Sequence, residues 1–209
     1  MSDPTVESQI KVLSRLVTER RLSRLRKAVG GRTRYLTLVL EDVRNPFNAM
    51  AVTRTCEGLG VHEMHVVENE HRFQLNPGVT QGASKWLDMK RWRTRDSDNT
   101  VDCLSSLSAR GFRLFATSPY ESGYTPDTLP LDKSAAIVFG HEKTGVSERA
   151  FEMCDARVRI PMYGFVESFN LTVSVGMCLS RLRSRVEVEM PERARISEEE
   201  QYELLLAWL

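Results

Sequence analysis

The chain has 209 residues, of which 41% are hydrophobic and 27% are charged. This composition is ordinary for a globular protein and excludes a disordered chain, a collagen-like fibre and a disulfide-dense miniprotein. Its 29 basic and 28 acidic side chains leave a formal net charge of +1, so no whole-protein attraction to nucleic acid follows from charge. The length predicts one domain with room for small extensions.

Basic charge is concentrated at the start of the chain. Residues 1–34 contain nine basic and three acidic side chains, and apolar residues recur at helical spacing over residues 5–29. This pattern predicts a basic amphipathic helix or a helical pair. It either packs as a solvated helix or contacts nucleic-acid phosphates. The candidate phosphate contacts are Arg20, Arg21, Arg24 and Lys27.

The end of the chain is acidic. Pro191 precedes a predicted helix over Ser197–Leu209, and Ser197 with Glu200 matches a capping box. The helix has a strongly apolar side, which requires a partner surface on its own body or on a second subunit.

The four cysteines are far apart: Cys56, Cys103, Cys154 and Cys178. With no CxxC spacing they predict buried free thiols in a reducing compartment. His62 and His65, three apart beside a predicted strand, would point to opposite faces, so we expect no metal site. No apolar run approaches the ~20 residues of a membrane span, and no secretory signal is present. We therefore expect a cytoplasmic protein with no membrane partner.

The middle of the chain alternates strands with helices. The strand candidates are Tyr35–Leu40, Glu63–Val67, Trp86–Lys90, Arg113–Ala116, Ala135–Phe139 and Ala156–Ile160. The helix candidates are Phe47–Leu59, Val101–Ala109, Ser147–Met153 and Asn170–Val186. This order predicts an α/β fold with a mostly parallel sheet flanked by helices. Ligands of such sheets bind at the carboxyl ends of the strands.

Two strand ends have residues suited to chemistry. After the first strand, Asn48 is placed to cap a helix, and Arg54 follows six residues later among apolar residues. A covered arginine there needs an anionic partner, whereas a surface arginine needs none. After the fifth strand, Gly140 permits close approach of a ligand and Glu142 lies in the loop. The alternative for this second segment is a tight strand-to-helix turn.

A third segment follows the sixth strand. Pro161 ends the strand after Ile160, and both Ser168 and Asn170 are placed to cap the next helix. That helix begins with small and β-branched residues, which are poor helix formers. The composition makes sense if its first turns pack closely against backbone or ligand.

In this order the three segments resemble the motifs of the SpoU/TrmH family of S-adenosylmethionine-dependent RNA 2′-O-ribose methyltransferases. The matching residues are Asn48 and Arg54; Gly140, Glu142 and Gly145; and Ile160-Pro161-Met162, Gly164 and Ser168-Phe169-Asn170. Phe169 stands where leucine is usual, and we expect a bulkier apolar side chain to preserve the role. The segment Ala116-Thr117-Ser118 resembles the family's cofactor-contacting strand end. The resemblance covers about residues 35–186.

The resemblance implies a deep trefoil knot in the C-terminal half of the sheet, the SPOUT fold, which residue periodicity does not reveal. The expected organisation is a basic helical extension at 1–34, a knotted methyltransferase domain at 35–190 and a C-terminal helix at 191–209. It also implies a homodimer with the active site at the subunit interface.

The implied reaction is methyl transfer from S-adenosylmethionine to a ribose 2′-hydroxyl. The favoured substrate is a guanosine in tRNA, rRNA is less favoured, and no DNA partner is expected. By resemblance the catalytic residues are Arg54, Asn48, Glu142, Ser168 and Asn170. The cofactor contacts are Thr117, Gly140, Ile160, Met162 and Phe169. Arg54 either loses a proton with assistance or stays charged as an electrostatic clamp, which is the physically favoured alternative. A non-catalytic RNA-binding module and a knotted enzyme that methylates a base nitrogen are the alternatives.

Overall fold

The computed structural model describes residues 4–73, 82–120 and 123–209 and contains one parallel sheet flanked by helices. The strands are β1 (Leu36–Glu41), β2 (Glu63–Val67), β3 (Asp88–Trp92), β4 (Arg113–Thr117), β5 (Ala135–Phe139) and β6 (Ala156–Val158). The helices are α1 (Pro4–Leu13), α2 (Glu19–Gly30), α3 (Pro46–Gly58), α4 (Asn99–Ala109), α5 (Glu148–Met153), α6 (Leu171–Glu189) and α7 (Glu198–Trp208). Short 3-10 turns occur at Ser14–Leu16 and Ala83–Trp86.

The six strands have the order β3-β2-β1-β5-β4-β6, and every pairing between them is parallel. The predicted α/β class and parallel sheet are therefore confirmed. Because all strands run the same way, the loops that follow them lie along one edge of the sheet. The carboxyl edge thus collects the three motif-bearing segments.

Both faces of the central strands β1, β2 and β5 are buried, as continuous apolar strands require. Leu36, Leu38 and Leu40 of β1 point into one core with α3 and α6, whereas Val39 points into a second core with α4 and α5. Full burial of one such leucine stabilises the fold by about 2 kcal/mol. The two cores hold the central strands, and hence their carboxyl ends, in fixed register.

The terminal helices form a third apolar cluster within the same chain. Ile10 of α1, Leu25 of α2 and Leu205 of α7 are buried together. Trp208 packs edge-on against Trp86 at 5.1 Å between ring centroids, and the Arg32 guanidinium lies 5.1 Å from the Trp208 ring. The apolar side of α7 therefore finds its partner surface on its own body.

One predicted helix cap is wrong. The N-cap of α3 is Asn45, whose side chain accepts a hydrogen bond from the Phe47 N–H, and Asn48 lies inside the first turn. Pro46 explains the earlier start, because proline at the first helical position has no N–H to satisfy and a φ suited to a helix. Asn48 is thereby free to bond elsewhere.

Four strands differ from their predicted limits: β1 and β4 by one residue at an end, and β3 and β6 by two. Trp86 belongs to the 3-10 turn, where it packs on Trp208, and β3 runs from Asp88. Strand β6 ends at Val158 rather than Ile160, because it pairs with β4 over only three positions. The Ser197 side chain accepts from the Glu200 N–H as predicted, but the Glu200 carboxylate pairs with Arg34 instead of completing the capping box.

Cys56, Cys103 and Cys178 are buried free thiols as predicted, and Cys154 is partly buried. Burial raises the pKa of Cys56 and of Cys178 to about 12. Among the described residues, no group of three or more side chains is arranged to hold a metal ion, and no helix is long and apolar enough to cross a membrane.

Candidate active site

A cleft of about 350 Å³ opens at the carboxyl ends of β4, β5 and β6. All five predicted cofactor contacts line it: Thr117, Gly140, Ile160, Met162 and Phe169. Its volume falls in the range of small-molecule sites, which combine apolar walls with a few polar groups. Here Leu171 and Val158 add apolar surface, and Ser118 and Glu167 add polar groups.

A second, more open cleft of about 530 Å³ adjoins the first. It contains four of the five predicted catalytic residues: Asn48, Glu142, Ser168 and Asn170. Glu142, Ser168 and Phe169 line both clefts. The predicted cofactor contacts and most of the predicted catalytic residues therefore meet at one place.

Glu142 joins the loop after β5 to the start of α3. Its Oε1 accepts hydrogen bonds from Asn48 Nδ2 at 2.9 Å and the Asn45 N–H at 3.0 Å, and its Oε2 accepts from the Arg44 N–H at 3.1 Å. Partial burial alone raises the pKa of this carboxyl, but the hydrogen bond from Asn48 and the backbone hydrogen bonds outweigh burial and lower the pKa. Glu142 is thus an ionised acceptor with a defined orientation.

The turn that follows β5 depends on glycine. A Cβ on Gly140 would lie 2.1 Å from the Gly145 carbonyl oxygen, closer than any side chain tolerates. Gly145 itself has a φ of 75°, in the left-handed region that favours glycine. The Gly140–Gly145 loop therefore closes on itself and leaves its outer surface to the cleft.

Asn170 caps α6. Its Oδ1 accepts hydrogen bonds from the Thr172 N–H at 2.8 Å and the Thr172 hydroxyl at 2.7 Å, so its amide NH₂ remains for a ligand in the second cleft. Ser168, the other capping candidate, makes no such bond and is exposed beside it. One of the two residues is a cap, and both line the site.

Arg54 lies apart from the clefts. Its side chain is exposed on α3, it is not among the residues that line either cleft, and it has no hydrogen bond or ion pair with any residue that the structure describes. The four cations of α2 predicted to contact RNA are also exposed: Arg20, Arg21, Arg24 and Lys27.

Sequence reasoning missed two residues that shape the site. Glu41, at the end of β1, is buried and accepts hydrogen bonds from the Ser147 N–H, the Ser147 hydroxyl and the Thr100 hydroxyl. It anchors the far end of the loop that contains Glu142. His141 lines both clefts, and its Nδ1 accepts from the Lys143 N–H at 3.1 Å. The sequence feature that could have identified Glu41 is a carboxylate placed at the end of an apolar strand.

A parallel α/β fold with two adjoining clefts at its carboxyl edge is typical of proteins that bind small-molecule ligands there. Residues 35–180 match the model of the SpoU rRNA Methylase family. The chain belongs to this family.

Individual relatives agree with the family assignment. The chain is 36% identical over 184 residues to a tRNA (guanosine(18)-2′-O)-methyltransferase of Borreliella burgdorferi, covering 88% of this chain and 82% of that protein. The crystal structure of the Aquifex aeolicus TrmH/SpoU tRNA modifying enzyme superimposes with a TM-score of 0.77 at 33% identity, over 91% of this chain and 96% of that one. The SpoU methyltransferase AviRb of Streptomyces viridochromogenes, solved with AdoMet, shares the fold at 22% identity and a TM-score of 0.61, over 77% and 61% of the two chains.

Proposed function

We propose that this protein is an S-adenosylmethionine-dependent methyltransferase that modifies the ribose 2′-hydroxyl of guanosine 18 in tRNA. The observation that carries the proposal is the junction of the two clefts at Glu142, Ser168 and Phe169, in a chain of the SpoU family. The position of the nucleotide comes from the names of relatives such as the Borreliella burgdorferi enzyme.

The first cleft suits an adenosyl cofactor. Ile160, Met162 and Phe169 supply apolar surface for a purine ring, and Glu167 and Ser168 supply polar groups for the amino-acid portion. The Thr117 hydroxyl donates to the Val138 carbonyl at 2.9 Å, so we assign Thr117 to shaping the wall. When bound, the cofactor supplies an electrophilic methyl group on its sulfonium.

The residues of the second cleft hold the nucleotide. The Asn170 amide and the Ser168 hydroxyl are placed to orient the ribose, because both face the cleft and neither needs its remaining hydrogen-bonding capacity for the fold. Glu142 and Asn48 fix the loop that separates the ribose from the cofactor. Orientation of a weak hydroxyl nucleophile in line with the donor accounts for a large part of such a rate enhancement.

Arg54 is the proposed electrostatic clamp. An arginine side chain stays charged at physiological pH, so it binds an RNA phosphate and stabilises the developing alkoxide more readily than it removes a proton. Its exposure, away from the clefts of its own chain, supports a homodimer in which the active site forms at the subunit interface.

Further observations support the dimer and the knot. Tyr163 and Phe165 are almost fully exposed beside the first cleft, and Val173 and Met177 on α6 are also exposed, which is an apolar surface suited to a second copy. Strand β5 lies between β1 and β4, β6 lies beyond β4, and α6 packs on α3. This order of the last strands supports a trefoil knot formed by the loops 139–147 and 160–170.

We propose the basic helices of residues 1–34 as an RNA-binding extension, residues 35–190 as the methyltransferase domain, and residues 191–209 as a stabilising helix. The four exposed cations of α2 support this role. A tRNA substrate and three buried free thiols fit a cytoplasmic enzyme.

Mapping of the product tests the reaction. Transfer-RNA transcripts and rRNA are incubated with the protein and labelled cofactor and then digested with nuclease. A nuclease-resistant dinucleotide at guanosine 18 of tRNA is expected, because 2′-O-methylation blocks cleavage of the adjacent phosphodiester. Label in rRNA alone, or label on a base nitrogen, would contradict the substrate or the chemistry.

Substitution of Arg54 tests the clamp. We expect Arg54→Ala to lower the single-turnover rate by at least about 100-fold and Arg54→Lys to restore part of it, with cofactor affinity unchanged in both. Calorimetry with S-adenosylmethionine supplies that affinity and also tests the non-catalytic alternative, since a dead RNA-binding module would not bind the cofactor. Equal losses of rate and cofactor affinity would remove Arg54 from the reaction.

A further inference from the structure

Four arginines follow neighbouring strands along the carboxyl edge of the sheet, and all but the first lie outside both clefts. Arg44 follows β1, Arg72 follows β2, and Arg93 and Arg95 follow β3. We call these four residues the basic ledge. All four side chains are exposed, and none of their guanidinium groups has a hydrogen bond or ion pair with another residue that the structure describes.

The strand order places the ledge. Strands β3, β2 and β1 are consecutive parallel neighbours at one side of the sheet. Because neighbouring strands lie about 4.8 Å apart, their ends span about 10 Å. The row begins at Arg44, which lines the second cleft, and proceeds outward to the edge strand.

Hydrogen bonds fix the loops that present these arginines. Asp42 Oδ1 accepts from the Asn69 and Glu70 N–H groups, both at 2.8 Å, and joins the loop after β1 to the loop after β2. The Asn69 side chain in turn accepts from the Asn99 N–H at 3.1 Å. Asn99 Oδ1 accepts from the Thr94 N–H at 2.7 Å, which ties down the segment after β3.

This network continues into the second cleft, because Glu142 accepts hydrogen bonds from the Arg44 and Asn45 N–H groups. Asp42 adopts a left-handed φ of 50° to make its bonds, which is uncommon for a non-glycine residue. The loops are thus built as one unit with the site.

Acidic side chains offset the charge of the ledge only in part: Asp42 lies on the loop after β1, and Glu68 interacts electrostatically with Arg93. Arg91 of the same stretch is paired with Glu68 at 2.6 Å, and Asp98 is paired with Arg149 at 3.5 Å. Glu70 and Asp96 are the exposed carboxylates without such a pairing on the described parts of these loops. Four like charges held at one edge repel each other, and a polyanion relieves that repulsion.

We propose that the basic ledge binds the phosphate backbone of the RNA substrate and guides it from the edge strand β3 into the second cleft. The inference rests on the proposed function and adds a second RNA contact surface to it. The ledge is distinct from α2. The end of α2 lies at the opposite edge of the sheet, where the Thr33 N–H donates to the Gly60 carbonyl ahead of β1 and β2, about 20 Å away along a six-residue strand.

The test compares two double variants that each remove two positive charges. Arg93→Gln with Arg95→Gln neutralises the outer ledge. Lys85→Gln with Lys133→Gln neutralises two exposed lysines that precede β3 and β5, at the amino edge. Binding of an unmodified tRNA transcript is measured by fluorescence anisotropy over a series of salt concentrations, and cofactor affinity by calorimetry confirms that each variant is folded.

For the ledge variant we expect affinity for tRNA to fall about tenfold near physiological salt, and the slope of log affinity against log salt to flatten by about 2. The lysine variant is expected to bind as the unmodified protein does. Adding Arg72→Gln to the ledge variant flattens the slope further.

An unchanged slope in the ledge variant, or an equal loss in the lysine variant, overturns the proposal. Either result is distinguishable from failure of the proposed function. In that failure the unmodified protein leaves tRNA unmethylated, whereas the ledge is judged on affinity and salt dependence alone.

Discussion

Glu142 and Asn48 are 94 residues apart in sequence and are joined by a hydrogen bond of 2.9 Å between the Glu142 carboxylate and the Asn48 amide. The bond connects the loop after β5 with the first turn of α3. It is made possible by Asn45, which caps the helix and leaves the Asn48 side chain available. Two segments with candidate catalytic residues are thereby held at a fixed separation.

Replacement of the Glu142 carboxylate by an amide tests this junction. Glu142 accepts three hydrogen bonds and donates none, so in Glu142→Gln the new NH₂ group must face at least one N–H donor. We expect the loop to shift and the single-turnover methylation rate to fall by about 100-fold. The exposed Glu148 provides the matched control, and Glu148→Gln should keep the full rate. A wild-type rate in Glu142→Gln would show that the junction does not position the site.

The glycine turn after β5 is expected to control cofactor binding. In Gly140→Ala the added Cβ would meet the Gly145 carbonyl oxygen at 2.1 Å, so the loop must move outward into the cleft. Cofactor affinity measured by calorimetry should fall at least about tenfold, with a loss of about 1–3 kcal/mol in unfolding free energy. Gly58→Ala, where a Cβ meets nothing within 4 Å, is the control. Unchanged affinity in Gly140→Ala would place the cofactor elsewhere.

Glu41 is expected to act through hydrogen bonding rather than through its charge. In Glu41→Gln the amide oxygen can still accept from the Ser147 N–H, while the Ser147 and Thr100 hydroxyls rotate to accept from the NH₂ group. Glu41→Leu leaves the buried Thr100 hydroxyl and the Ser147 N–H without their acceptor. It should lower the unfolding free energy by about 3 kcal/mol, against less than about 1 kcal/mol for Glu41→Gln. Denaturant unfolding measures both. Equal losses in the two variants would mean that the negative charge is required.

His62 is expected to make the fold sensitive to mild acid. Burial, and then the positive charges of Arg34 and Arg32, lower the pKa of His62 from 6.5 to about 4. Its Nδ1 is buried without a partner among the described residues. Between these two pH values the unfolded chain binds a proton that the folded chain does not, so stability falls as the pH decreases through this interval.

The variant His62→Gln has no side-chain group that binds this proton in the unfolded chain. Its stability should decline less than that of the unmodified protein as the pH falls from 6.5 to about 4, by about 2 kcal/mol. Denaturant unfolding across the interval measures the difference. Burial alone would raise the pKa of the Glu63 carboxyl, but hydrogen bonds from His65 and Arg110 lower this pKa strongly. Protonation of Glu63 destabilises both proteins at lower pH, so its effect cancels in the comparison. Parallel pH profiles would exclude His62 as the source.

Much of the fold could be predicted from local pattern. Strands β2 and β5 have the predicted limits, because a short, mostly apolar run that is buried on both faces can be recognised from the sequence alone. The helices were also found, within a few residues at each end. The Asn48 cap was wrong because two asparagines compete for that role, and the local effect of Pro46 decides between them.

The candidate site was predictable as a set of residues and not as a geometry. The sequence determined which residues follow the strands, and parallel strands require that these residues share one edge of the sheet. The order β3-β2-β1-β5-β4-β6 was decided only by tertiary packing. That order brings Glu142 to Asn48 and leaves Arg54 exposed on α3. It also places the loops that contain Arg44, Arg72, Arg93 and Arg95 at the ends of neighbouring strands. Neighbourhood in a sheet depends on which apolar faces pack together over long sequence separations, and periodicity along the chain contains no record of it.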